Sequence, residues 1–384
     1  MDDNRRKVLH LIDSYRIGGP GKTIINSARF IDESKFGLEV ASFAPPDEGL
    51  NEFGQAVRSA GIRYHGLLET RGFDRSQVRS LRDVLAEGRF DILHCHGYKP
   101  DFLGYLACRK ESQIRLMTTH HGWIENSTRQ RLFVHAGLAL TRKMDGTVCV
   151  ASHLMDRLPA RVRASWRTTL IHNALVLEDY VPSGRRAGIR NELGIASNAT
   201  LIGVVGRLSL EKGCLEALEA FGELHGRVPE VHLAFIGEGP LEGELRARLD
   251  ASQFRDKVHF TGHQAPVQPW LEALDLLLSP SRTEGLSNVL LEALAFRLPV
   301  VATRVGGNGE IIQDQVSGLL VEPLRPDLLA AGMERIVTGP EVAKEMARAG
   351  NRTVREAFGF ETRMRKMEAF YEQVLAGVPG KAGR

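Results

Sequence analysis

Short runs rich in β-branched and aliphatic residues alternate with longer amphipathic stretches along the whole chain. In the first half the short runs fall at residues 7–13, 38–44, 62–67, 91–97, 114–120, 146–152 and 168–173. Helical periodicity fills the gaps between them, for example at 22–31, 77–88 and 129–143. Runs that are apolar on both faces and separated by helices predict a parallel sheet covered on both sides. The second half repeats the rhythm, with strand candidates at 200–206, 231–237, 257–262, 274–281 and 298–304. Residues 181–197 are polar and turn-rich, which places a linker there. The expectation is an α/β protein of two doubly wound domains in series with a cleft between them. A last stretch, 360–375, carries Met364, Met367, Phe370, Tyr371 and Val374 at helical spacing.

Length agrees with two domains, since 384 residues exceed what one hydrophobic core usually supports. A chain that is 43% hydrophobic and 25% charged is neither disordered nor collagenous. The 50 basic and 47 acidic side chains nearly balance, so no general attraction to nucleic acid follows. The balance is uneven, however, with 26 basic against 21 acidic in residues 1–180 and 24 against 26 in the remainder. Arg71, Arg75, Arg79 and Arg82, then Arg157, Arg161, Arg163 and Arg167, cluster in the first half. They form either a solvated helix face or a patch for an anionic membrane surface or a phosphorylated acceptor. Four scattered cysteines without a CxxC pair suit a reducing compartment. No apolar window is long enough to span a bilayer. A cytoplasmic protein, peripheral at a membrane if it meets one, is expected.

Five places are candidates for chemistry. Glu284-Gly-Leu-Ser-Asn-Val-Leu-Leu-Glu292 sets two carboxylates eight apart, one on the loop after a strand and one on the helix that follows. The helix start between them offers free N–H groups to an anion, unless these are ordinary N-terminal acids of a surface helix. Gly206-Arg207-Leu-Ser-Leu-Glu-Lys212-Gly213 follows another strand. Its planar guanidinium and mobile ammonium suit a diphosphate, or else pair with surface acids. His94 and His96 share one strand face, and His120 and His121 end the next strand. No acidic or cysteine ligand accompanies them, so hydrogen bonding is favoured over metal binding. Gly18-Gly19-Pro-Gly-Lys-Thr imitates a phosphate loop, but Arg16 stands where that motif needs glycine. Gly237-Glu-Gly239 lacks the acidic partner that a dinucleotide site requires.

In this order the pieces resemble the retaining glycosyltransferases of family 4, which have the GT-B fold of two Rossmann-like domains. The resemblance runs through Gly18-Gly19, His121-Gly122, Asn173, Gly206-Arg207 to Lys212-Gly213, Gly237 to Pro240, the Glu284/Glu292 element and Gly306-Gly307 to Glu310. Ala174 stands where the family has glycine after the asparagine. The resemblance implies an acceptor-binding domain over 1–180, to which a C-terminal helix (358–376) crosses back. A donor-binding domain over 181–357 is implied with it. It also implies that Arg207 and Lys212 neutralise the donor diphosphate. Glu292 would bind the nucleotide ribose, and Glu284 the transferred sugar beside the backbone N–H groups of Leu286, Ser287 and Asn288. Gly19, following Gly18, would let the backbone approach the phosphates, and His121 would sit near the sugar and the acceptor.

The implied reaction moves a sugar from a UDP- or GDP-linked donor to a hydroxyl of a carbohydrate or lipid-linked acceptor, with retention. The expected setting is cell-surface polysaccharide or glycolipid synthesis, with no cofactor and no divalent metal. A nucleotide-sugar 2-epimerase of the same fold and an inactive nucleotide-sugar-binding module are the alternatives.

Overall fold

The structure is a computed structural model, and it describes residues 5–44, 50–69, 74–109, 113–123 and 127–377. The chain divides into two compact units, residues 1–173 with 360–384, and residues 174–359.

The first unit holds seven strands: β1 (Arg6–Ile12), β2 (Phe36–Ala44), β3 (Arg63–Leu68), β4 (Ile92–His96), β5 (Arg115–His120), β6 (Gly146–Cys149) and β7 (Thr168–Leu170). All pair in parallel in the order β3-β2-β1-β4-β5-β6-β7. The second holds β8 (Thr200–Val205), β9 (Val231–Ile236), β10 (Val258–Phe260), β11 (Leu276–Ser279), β12 (Val300–Thr303) and β13 (Leu319–Val321), also parallel, in the order β10-β9-β8-β11-β12-β13. Central strands such as β4, β9 and β12 are buried along their whole length, as parallel sheets covered by helices require. Every predicted strand is present, and β13 is an addition that the periodicity does not reveal.

The polar stretch at 181–197 is not a linker. Residues Arg186–Glu192 form a helix packed within the second unit. Arg190 is buried and donates to Asp275 at 2.9 Å, while Arg186 donates to the carbonyls of Glu272, Ala273 and Leu274. Cations thus satisfy the carbonyls that end the helix Gln268–Ala273, a use of arginine that composition alone reads as solvent-facing.

The C-terminal helix Phe360–Ala376 belongs to the first unit. Met364, Met367, Phe370, Tyr371 and Val374 are all buried, as their spacing predicts. Asp32 N donates to Glu368 at 2.7 Å and Phe30 packs on Phe360, so residues near the first helix hold the last one.

Candidate functional site

In the second unit the strand order changes direction between β8 and β11. Open parallel sheets bind ligands outside the carboxyl ends of such a pair. Gly206 and Arg207 leave β8 there, and Pro280 to Glu284 leave β11. A narrow cavity between the two loops is lined by Gly206, Arg207, Lys212, Ser281, Glu284 and Ser287. The local sequence forces the loops together. Gly237 and Gly306 have φ of 151° and 55°, and a Cβ at either would stand 1.9 Å from the Gly206 carbonyl oxygen or 2.1 Å from that of Glu284. Arg282 donates to the buried Glu216 at 2.7 Å, tying the β11 loop to the helix Cys214–His225. Ser287 caps the helix Asn288–Ala295 by accepting from Leu290 N at 3.4 Å, and Ser287 and Val289 at this helix start line the cavity.

Lys212 Nζ donates to Glu284 Oε1 at 2.6 Å, and the Ser281 hydroxyl donates to the same oxygen at 2.8 Å. The ammonium and carboxylate therefore neutralise each other, and Arg207 stands exposed beside them with no side-chain ion pair among the described residues. Glu292 does not line this cavity. It is buried in the helix, where its Oε1 accepts from the Tyr180 hydroxyl at 2.8 Å. Burial beside that carboxylate raises the Tyr180 hydroxyl pKa, so the phenol remains a donor. Neither Leu286 nor Asn288 lines the cavity, although both flank Ser287. Tyr180, Glu216 and Arg282 carry no motif and are found only through contacts over 66 to 112 residues of sequence.

Gly18, Gly19 and His121 lie in the first unit. Gly18 precedes the helix Gly19–Phe30, whose start Pro20 fits because its first turn has no N–H partner to lose. His121 follows β5 and lines a cavity of about 390 Å³ with Ile12, Ser14, Gly97, Asp101 and Trp123. This cavity spans the ends of β1 and β4, where the first sheet also changes direction. Gly18 and Gly19 are not among its walls. Asp101 Oδ1, His120 Nε2 and His121 Nδ1 are buried without hydrogen-bond partners among the described residues. Burial pushes Asp101 up to about 7, against the opposing pull of the Thr118 hydroxyl, and lowers His120 to about 4. His121 falls to about 3, through burial first and the Arg363 guanidinium second.

His94 and His96 gain a neighbour that spacing does not reveal. His10 lies beside His94 in the parallel register of β1 and β4, and the ligating nitrogens of the three lie within 4.8 Å of one another. They are occupied with hydrogen bonds, and Arg363, itself buried, opposes any further positive charge at each of them. These residues fit a metal ion poorly. Of the arginine clusters, Arg71 lies outside the described residues, while Arg75, Arg79 and Arg161 are exposed. Arg82 donates to the carbonyls of Leu106 and Ala107, and Arg157 stands 4.8 Å over the Trp123 ring. None of the four cysteines forms a disulfide. Among the described residues no helix is long and apolar enough to cross a membrane.

Residues 17–179 match the family described as Glycosyltransferase Family 4, and residues 199–339 match Glycosyl transferases group 1. The chain is 24% identical over 315 residues to the UDP-Gal:alpha-D-GlcNAc-diphosphoundecaprenol alpha-1,3-galactosyltransferase of Escherichia coli, covering 78% of this chain and 79% of that one. It is 32% identical over 172 residues to the alpha-D-kanosaminyltransferase of Streptomyces kanamyceticus, a match confined to 44% of either chain. The crystal structure of Anabaena HepE in complex with UDP and glucose superposes with a TM-score of 0.84, covering 96% of this chain and all of that one at 19% identity, which is a likeness of fold. With one glycosyltransferase domain matched in each half and the architecture of both sheets shared, the chain belongs to the family 4 glycosyltransferases of the GT-B fold.

Proposed function

We propose that this glycosyltransferase moves a sugar from a nucleoside-diphosphate donor to a hydroxyl acceptor, with retention of anomeric configuration. The cavity at the β8/β11 turn carries the reading, because it gathers an exposed guanidinium, an ammonium and a helix start within one small space. A departing diphosphate gains negative charge as the sugar–oxygen bond breaks. Cations and backbone dipoles fixed at its oxygens stabilise that charge more in the transition state than in the ground state. The diphosphate is assigned to Arg207 and Lys212 beside Gly206. Its arrival would draw Lys212 from Glu284, freeing that carboxylate for a hydroxyl of the transferred sugar. Ser287, with the amides of Leu286 and Asn288, is assigned to the same anion. Glu292 would meet the ribose, with Tyr180 holding its other side.

The acceptor is assigned to the first unit, with His121 near the reacting hydroxyl and Gly18-Gly19 at the phosphates. A same-face attack, with the leaving phosphate taking the acceptor proton, needs neither a protein nucleophile nor a metal. Support for the donor comes from relatives, because HepE has been crystallised with UDP-glucose and the Escherichia coli enzyme is named for UDP-galactose. A carbohydrate or lipid-linked acceptor in surface polysaccharide or glycolipid synthesis fits that company. Exposed Arg75, Arg79 and Arg161 would bring the protein to an anionic membrane surface.

The test is incubation of the purified protein with UDP- and GDP-sugars and a panel of acceptors, with and without EDTA. A new glycoside of retained configuration, formed equally with the chelator, is expected. An isomerised donor would identify an epimerase, and donor binding without turnover an inactive module.

A further inference from the structure

The histidines of the first unit form one continuous chain. Thr119 Oγ1 lies 2.7 Å from His94 Nε2, and His94 Nδ1 lies 2.8 Å from the Tyr371 hydroxyl on the C-terminal helix. That hydroxyl lies 3.4 Å from His10 Nε2, His10 Nδ1 lies 2.9 Å from His96 Nε2, and His96 Nδ1 lies 3.0 Å from His121 Nε2. The chain stops at His121 Nδ1, which has no partner among the described residues, on the residue that lines the cavity. Every nitrogen but this last one is therefore engaged.

A neutral imidazole carries one N–H, so it must donate at one nitrogen and accept at the other. All four rings are held neutral by burial, with Arg363 adding to the effect. Each contact needs one proton, and with the buried phenol's own proton also spent within the chain two arrangements remain, one for each direction of donation. The open end chooses between them, since one direction leaves a buried N–H without a partner at His121 Nδ1 and the other leaves only a lone pair there. In the second arrangement the phenol donates to His94 Nδ1 at 2.8 Å and accepts from His10 Nε2–H at 3.4 Å. Burial also raises the Tyr371 pKa, so the phenol keeps its proton. From there each ring follows its neighbour. His94 Nε2–H donates to Thr119, His96 Nε2–H to His10, and His121 Nε2–H to His96. His121 Nδ1 is left bare, and a buried acceptor without a partner is less costly than a buried N–H without one.

We propose that Tyr371 is a positioning residue for His121: through His10 and His96 it fixes the Nε2–H tautomer, so that Nδ1 awaits a hydroxyl hydrogen. The placement of that hydroxyl on a sugar or an acceptor rests on the function proposed above, whereas the tautomer does not.

Nitrogen-15 spectra of the full chain with labelled histidine, without substrate, read the tautomer directly. His121 is identified by loss of its signals in His121→Gln. A single His121 species protonated at Nε2 is expected in the native protein. Tyr371→Phe keeps the ring in its packing and removes the hydroxyl, and Thr119→Val removes the far anchor. Either should replace the single species by a mixture of tautomers, and Thr119→Val serves if Tyr371→Phe does not fold. An Nδ1–H species in the native protein, or a His121 signal unmoved in every folded variant, overturns the proposal. So does zinc bound in one-to-one ratio and lost in His10→Gln. A protein that transfers no sugar would leave the spectra as expected and would instead count against the proposed function.

Discussion

Arg207 and Lys212 face the same cavity but are held differently, and their substitutions should differ accordingly. Arg207 makes no side-chain ion pair among the described residues, so Arg207→Ala should leave the melting temperature unchanged while lowering turnover at least about 100-fold, the scale for losing a preorganised charge stabiliser. Lys212→Ala should lower turnover by a similar factor and also lower the melting temperature, because it strips the partly buried Glu284 of its cation. Parallel rate and thermal-melt measurements on both variants separate the two effects, and native turnover in Arg207→Ala would remove it from the leaving-group role. Residue type and local spacing are enough to single out these two cations, since both lie within one loop. Tyr180 and His10 escape notice for the opposite reason. Their partners are Glu292 and His96, 112 and 86 residues away, and no local pattern marks a hydroxyl or an imidazole as the far half of such a pair.

At the scale of elements, the loops after β8 and β11 owe their closeness to glycine. The hypothetical Cβ of Gly306 falls 2.1 Å from the Glu284 carbonyl oxygen, and its φ of 55° suits few other residues. Gly306→Ala should therefore push the Glu284 loop away and weaken nucleotide binding by at least tenfold, on the order of 1.4 kcal/mol or more. Calorimetric titration with the nucleoside diphosphate checks this, and unchanged affinity would show that the loop tolerates the shift. Most strands of the first sheet are legible because aliphatic and β-branched residues cluster between polar turns, as in β1 and β4. β13 is no shorter than β7 or β10, but it follows the turn-rich stretch 312–318 and is closed at once by Glu322 and Pro323, so its three residues do not announce themselves. The segment 181–197 misleads because its arginines look solvated in sequence, whereas Arg190 ends on Asp275 and on backbone carbonyls.

Across the whole molecule, buried histidines couple folding to pH. His10 and His121 are lowered to about 3 and His120 and His232 to about 4, while His94 and His96 lie well below 6.5, in each case through burial first. The unfolded chain takes up these protons below about pH 6.5 and the folded one does not, so acid favours unfolding progressively down to about pH 3. Asp101 works in the other direction. Its folded value of about 7 exceeds the ordinary 3.8, so its contribution is complete in acid and is lost as pH rises through 7. Six histidines outweigh one carboxyl, and the melting temperature should fall steadily from pH 7 to pH 5. A flat profile over that interval would contradict the burial of these rings.

The division of the chain has one more consequence. Leu175 and Gly359 form a parallel bridge, with Leu175 N donating to the Phe358 carbonyl at 2.9 Å, so the segment enters and leaves the second unit side by side. Topologically it is a cassette spliced into an otherwise complete neighbour. A ribosome begins that neighbour first yet finishes it last, and His94 must wait 277 residues for the tyrosine that completes its surroundings.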